Sequence, residues 1–106
     1  MKPRIIGRTP AAEHFAPLNS KGEAQLGVRP PVVMSPDEYE ALRLVDHQGM
    51  IQEEAARMMR VSRGTVWRCL DSARRKVAAA VVEGRELVIS YESGSDKESM
   101  GKPGKS

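Results

Sequence analysis

The sequence predicts a mainly α fold, a three-helix domain with short flanking strands, between residues 35 and 91. Apolar residues make up 40% of the 106-residue chain but aromatic residues only 4%, which suits packed helices better than aromatic-rich strands. After residue 35, apolar side chains recur at steps of three and four, the period of a helix with one buried face. Helix start and stop residues bracket these stretches. A chain of this length has room for one compact domain.

The first predicted helix begins at Pro36, where every part of a helix start is present. Ser35 can cap the helix, Pro36 suits its first position, and Glu38, three residues after the cap, completes a capping box. The helix is expected to end before Gly49. Its apolar stripe and the residues flanking that stripe are Tyr39, Leu42, Val45, Ala41 and Leu44.

Two further helices are predicted, separated only by residues 60–62. The second covers about residues 52–59, with its two alanines and its final methionine facing inward. The third begins after a good capping residue, Ser62, and continues to Val82 before Gly84 ends it. Its buried seam is expected to contain Val66, Leu70, Ala73, Val77 and Ala80.

The segments on either side of the helices carry weaker signals. Residues 1–34 are interpreted as a basic arm followed by an extended lead-in, because prolines and glycines recur there without an apolar period. Ile5 and Ile6 can form a short strand, and the alternation of Leu87–Tyr91 predicts another. These strands can pair within one chain or between chains. Residues 92–106 have the composition of a disordered tail.

Positive charge is concentrated on the second and third predicted helices. The whole chain has a formal net charge of +3, which by itself indicates little. A stretch of one sign on a helix favours a polyanionic partner, although a solvated helix face is the alternative interpretation. Between residues 57 and 76 the single acid is Asp71, and it stands against seven cations: Arg57, Arg60, Arg63, Arg68, Arg74, Arg75 and Lys76.

The start of the third helix is the candidate recognition surface. Two short helices joined by a tight turn can cross steeply and project the start of the second one, which fits the major groove of duplex DNA. At about 100° per residue, Gly64 and Arg68 lie nearly opposite the buried seam. Arg68 can fork onto a guanine edge, Thr65 can meet a thymine methyl group or a phosphate, and Gly64 permits close approach. The predicted base-contacting residues are Ser62, Arg63, Gly64, Thr65 and Arg68.

Phosphate contacts are predicted beside this surface. Such contacts fix the position of a protein on DNA but carry no sequence information. The candidates are Gln52, Arg60 and Arg75. Trp67, on the flank of the third helix, is expected at the edge of the core rather than on DNA.

The sequence predicts neither an enzyme nor a metal site. Cys69 is the only cysteine, so the chain can form no internal disulfide and no thiolate cluster. His14 and His47 lie far apart, and no set of residues supplies a nucleophile, an activated water or a cofactor loop. No apolar run reaches the length of a signal or membrane-spanning segment. We therefore expect a cytoplasmic protein without a cofactor and without membrane contact.

Three short motifs resemble the fourth region of bacterial sigma factors, which reads the −35 promoter element. They are QEEAA at 52–56, VSRGTV at 61–66 and LDSARRKV at 70–77. A closer resemblance is to the domain of unknown function 134 family, small prokaryotic proteins predicted to bind DNA. It rests on SPDEYEALRLVD at 35–46, GRELVI at 84–89 and an FAP element at residues 15–17.

This likeness covers roughly residues 2–90. It implies DNA reading of the sigma type, carried by Ser62, Arg63, Thr65 and Arg68. Two departures from the family pattern matter for stability. Ile51 occupies the usual Ser or Thr cap of the second helix, and losing a cap costs about 1 kcal/mol. Arg60 replaces the usual glycine in the turn, where a left-handed arginine costs about 1–2 kcal/mol.

The function expected from these observations is sequence-specific binding of double-stranded DNA by a transcriptional regulator. One small module buries little surface, so two half-sites and a homodimer are expected. The candidate dimer interface combines the Val77–Val82 end of the third helix with the strand at 85–91. The alternative from another class is an adaptor that docks on RNA polymerase, or on another protein, through its sigma-like surface.

Overall fold

The computed structural model describes residues 13–90, which form three helices, a π-helical segment and three short strands. The mainly α fold with short strands is confirmed. The predicted strand at Ile5 and Ile6, the basic arm and the predicted tail lie outside the described residues. The elements in chain order are β1 His14–Phe15, β2 Val32–Met34, α1 Pro36–Ala41, a π-helical segment Leu42–His47, α2 Gln52–Met59, α3 Arg63–Glu83 and β3 Leu87–Ile89.

The predicted capping box at the start of α1 is confirmed. The Ser35 hydroxyl accepts a hydrogen bond from the Glu38 N–H at 3.2 Å, and a Glu38 carboxylate oxygen accepts one from the Ser35 N–H at 2.8 Å. Pro36 occupies the first helical position, where its missing N–H leaves no hydrogen bond unmade. Two of the otherwise unpaired N–H groups at this helix start are thereby satisfied.

The second half of the first predicted helix is wound as a π-helix, which the sequence did not predict. The Gln48 N–H donates to the Arg43 carbonyl oxygen at 2.8 Å, a bond that spans five residues rather than four. The wider turn rotates the apolar face along the helix. Ala41 and Leu44 are the apolar residues of this helix that lie deepest, while the predicted stripe residues Leu42 and Val45 pack at the edge of the core.

The core consists of two adjoining clusters that share α3. Alanines where α2 meets its neighbours permit close approach of the helices, and the three residues of α2 predicted to face inward are all buried. The predicted seam of α3 is fully buried as far along the helix as Ala73, whereas Val77 is only partly buried and packs against the second cluster. The first cluster contains Ala41, Leu44, Ala55, Ala56, Met59, Val66 and Leu70, and the second contains Met34, Ala73 and Ile89.

The three strands form one small sheet in the order β1–β3–β2. β1 pairs antiparallel with β3, His14 opposite Val88, and β2 pairs parallel with it, Val32 opposite Leu87. The predicted last strand is thus confirmed as far as Ile89, whereas β1 and β2 fall in the segment that the sequence analysis interpreted as a lead-in. Because β3 is central, both of its edges are occupied within the described part of the chain.

The lead-in is fastened to the domain by the two residues after Gly84. The buried carboxylate of Glu86 accepts hydrogen bonds from the Gly27 N–H at 2.8 Å and from His14 Nε2 at 2.7 Å. These bonds hold the pKa of Glu86 below its usual value. The Arg85 guanidinium donates to the Pro30 carbonyl oxygen at 2.7 Å. The sheet therefore packs against the carboxyl half of α3, around Ala73 and Val77.

Candidate nucleic-acid interface

The turn between α2 and α3 is set by a left-handed residue. Arg60 has φ 62° and ψ 43°, as expected from its replacement of a turn glycine. Its N–H donates to the Arg57 carbonyl oxygen at 3.3 Å, and the Val61 N–H donates to the Ala56 carbonyl oxygen at 3.0 Å. These two bonds form a Schellman motif, which commonly ends helices. Val61 packs against the core, so the turn fixes where α3 begins.

A chain of hydrogen bonds joins three polar side chains at the start of α3. The Ser62 hydroxyl caps the helix by accepting a hydrogen bond from the Thr65 N–H at 3.1 Å. The Ser62 and Thr65 hydroxyl oxygens lie 2.9 Å apart, and Arg68 Nη2 donates to the Thr65 hydroxyl oxygen at 3.2 Å. Since Thr65 accepts from Arg68, its own hydrogen is available to Ser62. The cap therefore positions the guanidinium of Arg68.

Gly64 lies beneath these hydrogen-bonded side chains, but the packing does not require a glycine there. A Cβ atom added to it would lie 3.7 Å from Arg68 Nη1 and 3.9 Å from the Ser62 hydroxyl oxygen, ordinary contact distances. The side chain of Arg68 thus runs back over the first turn of the helix, the usual direction of long helical side chains. The fold tolerates a larger residue at Gly64, so the bare backbone there has no structural cause among the described residues.

The surface predicted for recognition is the side of α3 that the described part of the chain leaves open. Ser62, Arg63, Gly64 and Arg68 are exposed and Thr65 is partly exposed. Val66 and Leu70, on the opposite side, are fully buried. We call the five residues named in the sequence analysis, Ser62, Arg63, Gly64, Thr65 and Arg68, the reading face.

The seven cations between residues 57 and 76 divide into two groups. Three are paired with carboxylates: Arg74 with Asp46 at 2.8 Å, Arg75 with Asp71 at 3.2 Å and Lys76 with Glu38 at 2.7 Å. Within residues 13–90, four have no such partner: Arg57, Arg60, Arg63 and Arg68. The second group surrounds the turn and the amino end of α3, where the helix dipole adds further positive potential.

Two of the paired cations, Arg74 and Lys76, tie the first helical segment to α3, whereas Arg75 pairs with Asp71 of the same helix. The Arg74 guanidinium donates two hydrogen bonds to the Asp46 carboxylate, at 3.0 and 2.8 Å. These bonds lower the pKa of that carboxyl group. Burial opposes ionisation of Glu38. Hydrogen bonds from Lys76, Ser72 and the Ser35 N–H outweigh this effect and hold the pKa of Glu38 below its usual value. These ion pairs partly neutralise Arg74 and Lys76, which therefore add less positive potential to the surface than the four arginines without a carboxylate partner in residues 13–90.

The predicted phosphate contacts do not all lie together. Gln52, the first residue of α2, lies beside Arg63 and Gly64 at the rim of one hollow. Arg60 is exposed in the turn. Arg75 is 80% exposed but bonded to Asp71, and it lies about 10 Å along the helix axis from Arg68. The structure therefore places Gln52 and Arg60 near the reading face and Arg75 apart from it.

The same hollow, of about 710 Å³, has an apolar lining that the sequence analysis did not find. Ile51 and Trp67 contribute to it and are 60% and 47% exposed. Trp67 was predicted at the edge of the core, and about half of its surface is open. An isoleucine at a capping position was the one sequence signal for this feature.

The part of the chain that the structure describes shows no group of three acidic, histidine or cysteine side chains able to hold a metal ion. Among the same residues, no helix is both long enough and apolar enough to cross a bilayer.

These features define a small, mainly helical protein with an exposed, arginine-bearing helix start. The chain belongs to the family described as protein of unknown function DUF134, whose profile matches residues 1–98, which confirms the resemblance to that family seen in the sequence. It is similar to a UPF0251 protein of Pyrococcus horikoshii, 54% identical over 89 residues, or 83% of this chain and 77% of the relative. A UPF0251 protein of Thermococcus kodakarensis is 55% identical over 86 residues, covering 81% and 74%. No solved structure matches the chain.

Proposed function

We propose that this protein binds double-stranded DNA in a sequence-specific manner, by inserting the amino end of α3 into the major groove, and that it acts as a transcriptional regulator. The observation that carries the proposal is the uncovered reading face, bordered by arginines that have no carboxylate partner within the described residues. This arrangement suits DNA reading of the sigma type, in which a tight turn projects a helix start into the groove.

Base recognition is assigned to Arg68 and Thr65. A guanidinium group can donate two hydrogen bonds to the O6 and N7 atoms of guanine. The bond to the Thr65 hydroxyl at 3.2 Å holds Arg68 before DNA arrives, which reduces the side-chain entropy lost on binding. The Thr65 methyl group can meet a thymine methyl group, and Gly64 lets the backbone approach the base edges.

Phosphate contacts are assigned to the residues around the turn. Arg60 and Gln52 lie on the flank of the reading face, and Arg57 joins them as a further exposed cation. The Ser62 hydroxyl oxygen accepts from the Thr65 N–H and lies 2.9 Å from the Thr65 hydroxyl oxygen, and its hydrogen can be donated either to Thr65 or to a phosphate oxygen. Arg75 contributes less than the sequence suggests, since it is bonded to Asp71.

A homodimer is part of the proposal. Single modules of this size bury too little DNA surface for high specificity, and two half-sites are the usual solution. Val81 and Val82, at the end of α3 away from the reading face, are 77% and 82% exposed. They offer an apolar contact between copies, whereas β3 has no open edge to contribute within the described residues.

Selection of bound fragments from random duplex DNA, at low and at moderate salt, tests the proposal. We expect a recurring motif, and we expect Arg68→Ala to lose about 1–3 kcal/mol on that motif with a smaller loss on random duplex. Arg75→Ala should weaken binding to both duplexes slightly and equally. Equal losses on both duplexes for Arg68→Ala would contradict the assignment of base recognition. Salt-insensitive or absent DNA binding, together with tight binding to RNA polymerase, would favour the adaptor.

A further inference from the structure

Ile51 occupies a position where its side chain weakens the fold. It is the N-cap of α2, with extended φ −73° and ψ 157°, and its side chain offers no acceptor to the first turn of the helix. Its own N–H donates to the Glu54 carboxylate at 3.3 Å, and its carbonyl oxygen accepts from the Ala55 N–H at 3.1 Å. A Ser or Thr would cap the helix here. Nevertheless, a large apolar side chain stands at this position with 60% of its surface exposed.

Ile51 is one of several apolar side chains around a single hollow. Trp67 of α3, 47% exposed, lines it with Met50 and Val45. The charged residues of the lining are Arg63 and Glu53. An open apolar hollow beside a charged surface is typical of a contact site, because isolated exposed apolar residues need no explanation but a cluster of them does.

We propose that this hollow receives the sugar–phosphate backbone of one DNA strand, with Ile51 and Trp67 packed against the deoxyribose rings. The inference rests on the proposed function. Arg63 and Gly64 belong both to the hollow and to the reading face, so a duplex that engages the reading face passes directly over the hollow. Gln52 and the amino ends of α2 and α3 present N–H groups at the same place, where they suit an anionic strand.

The two charged residues determine where the phosphates of the strand lie in the hollow. Arg63 at the start of α3 has no carboxylate partner within the described residues and attracts a phosphate. Glu53, in the first turn of α2, repels one. Phosphates therefore lie nearer Arg63 than Glu53, and the sugar rings between them lie over Ile51 and Trp67. Glu53→Gln should strengthen binding to every duplex sequence.

The fluorescence of Trp67 tests this directly, because it is the only tryptophan in the chain. The full-length protein is titrated with an unlabelled, mixed-sequence duplex at low salt. In a parallel titration, a fluorescein-labelled duplex of the same sequence reports binding by anisotropy. We expect emission to move to shorter wavelength and acrylamide quenching to fall as the duplex saturates. If anisotropy shows binding while quenching of Trp67 stays unchanged, the strand does not cross the hollow and the inference is wrong.

Ile51→Ser provides an independent test, because it should raise the stability of the fold while lowering the affinity for DNA. The new cap should raise the melting temperature by a few degrees, whereas loss of the apolar contact should weaken duplex binding roughly three- to tenfold. Met58→Ser is the matched control, since Met58 is 49% exposed on the same helix but does not line this hollow. Unchanged affinity of Ile51→Ser would overturn the inference. A wild-type protein that binds no duplex would instead overturn the proposed function.

Discussion

Replacing Gly64 with alanine separates the needs of the fold from those of DNA binding. A Cβ atom at this position meets Arg68 Nη1 at 3.7 Å and the Ser62 hydroxyl oxygen at 3.9 Å, so the fold accommodates it without strain. Alanine also loses less backbone entropy than glycine in a helix, and the variant should gain about 0.5–1 kcal/mol of unfolding free energy. For a domain of this size that gain raises the melting temperature by about 2–8 °C.

The same methyl group occupies the place where base edges are expected to approach. If it displaces the contact made by Arg68, the loss is about 1–3 kcal/mol, or roughly five- to 150-fold in affinity. Thermal melting by circular dichroism and anisotropy titration of the selected duplex measure the two effects. Gly84→Ala, at φ +66° on the far end of α3, is the control and should lower stability without changing the affinity of the folded protein. A Gly64→Ala variant that binds as well as wild type would refute the account of the reading face.

Three further predictions concern the cap, the ion pairs and the dimer. Ser62→Ala removes the cap of α3 and should cost about 1 kcal/mol of unfolding free energy; it also releases Thr65 and Arg68, so affinity for the selected duplex should fall more than for random duplex. The pKa of Glu38 is lowered in the folded state, so its stabilising contribution is complete above the usual carboxyl pKa of about 4.3 and is lost as the pH falls through the folded value. Urea unfolding between pH 7 and pH 3 should therefore show a smaller loss of stability for Glu38→Gln than for wild type. Val82→Glu should produce a monomer in sedimentation velocity runs; a wild-type protein that is already monomeric at all concentrations, with and without DNA, would contradict the proposed homodimer.

Local signals in the sequence predicted the helix starts and stops accurately. Ser35 and Glu38 are three residues apart and form the capping box by themselves, and Ser62 caps the helix that follows it directly. Such features depend on neighbouring residues, which is why one sequence is sufficient to predict them. The left-handed Arg60 was instead expected from the family resemblance, because it replaces the glycine usual in this turn.

Features that depend on distant residues were not predicted. Asp46 and Arg74 are 28 residues apart, and their pairing, which removes one cation from the positive surface, leaves no pattern in the sequence. The strand Val32–Met34 is too short to show alternation and exists because β3 lies beside it. The π-helical winding of Leu42–His47, in which Leu44 is the buried residue, departs from the regular helical period on which the sequence prediction relied.

The salt dependence of DNA binding tests the central claim most directly. The selected duplex and a scrambled duplex of equal length are titrated at about 50 and 200 mM salt, each followed by anisotropy. Three to four phosphate contacts per protomer make six to eight for a homodimer on two half-sites, and at a slope of about −0.9 for each contact they predict a roughly 2,000- to 20,000-fold weaker affinity for both duplexes at the higher concentration. The preference for the selected duplex should persist at both. Affinity that does not change with salt, or equal affinity for the two duplexes, would contradict the account.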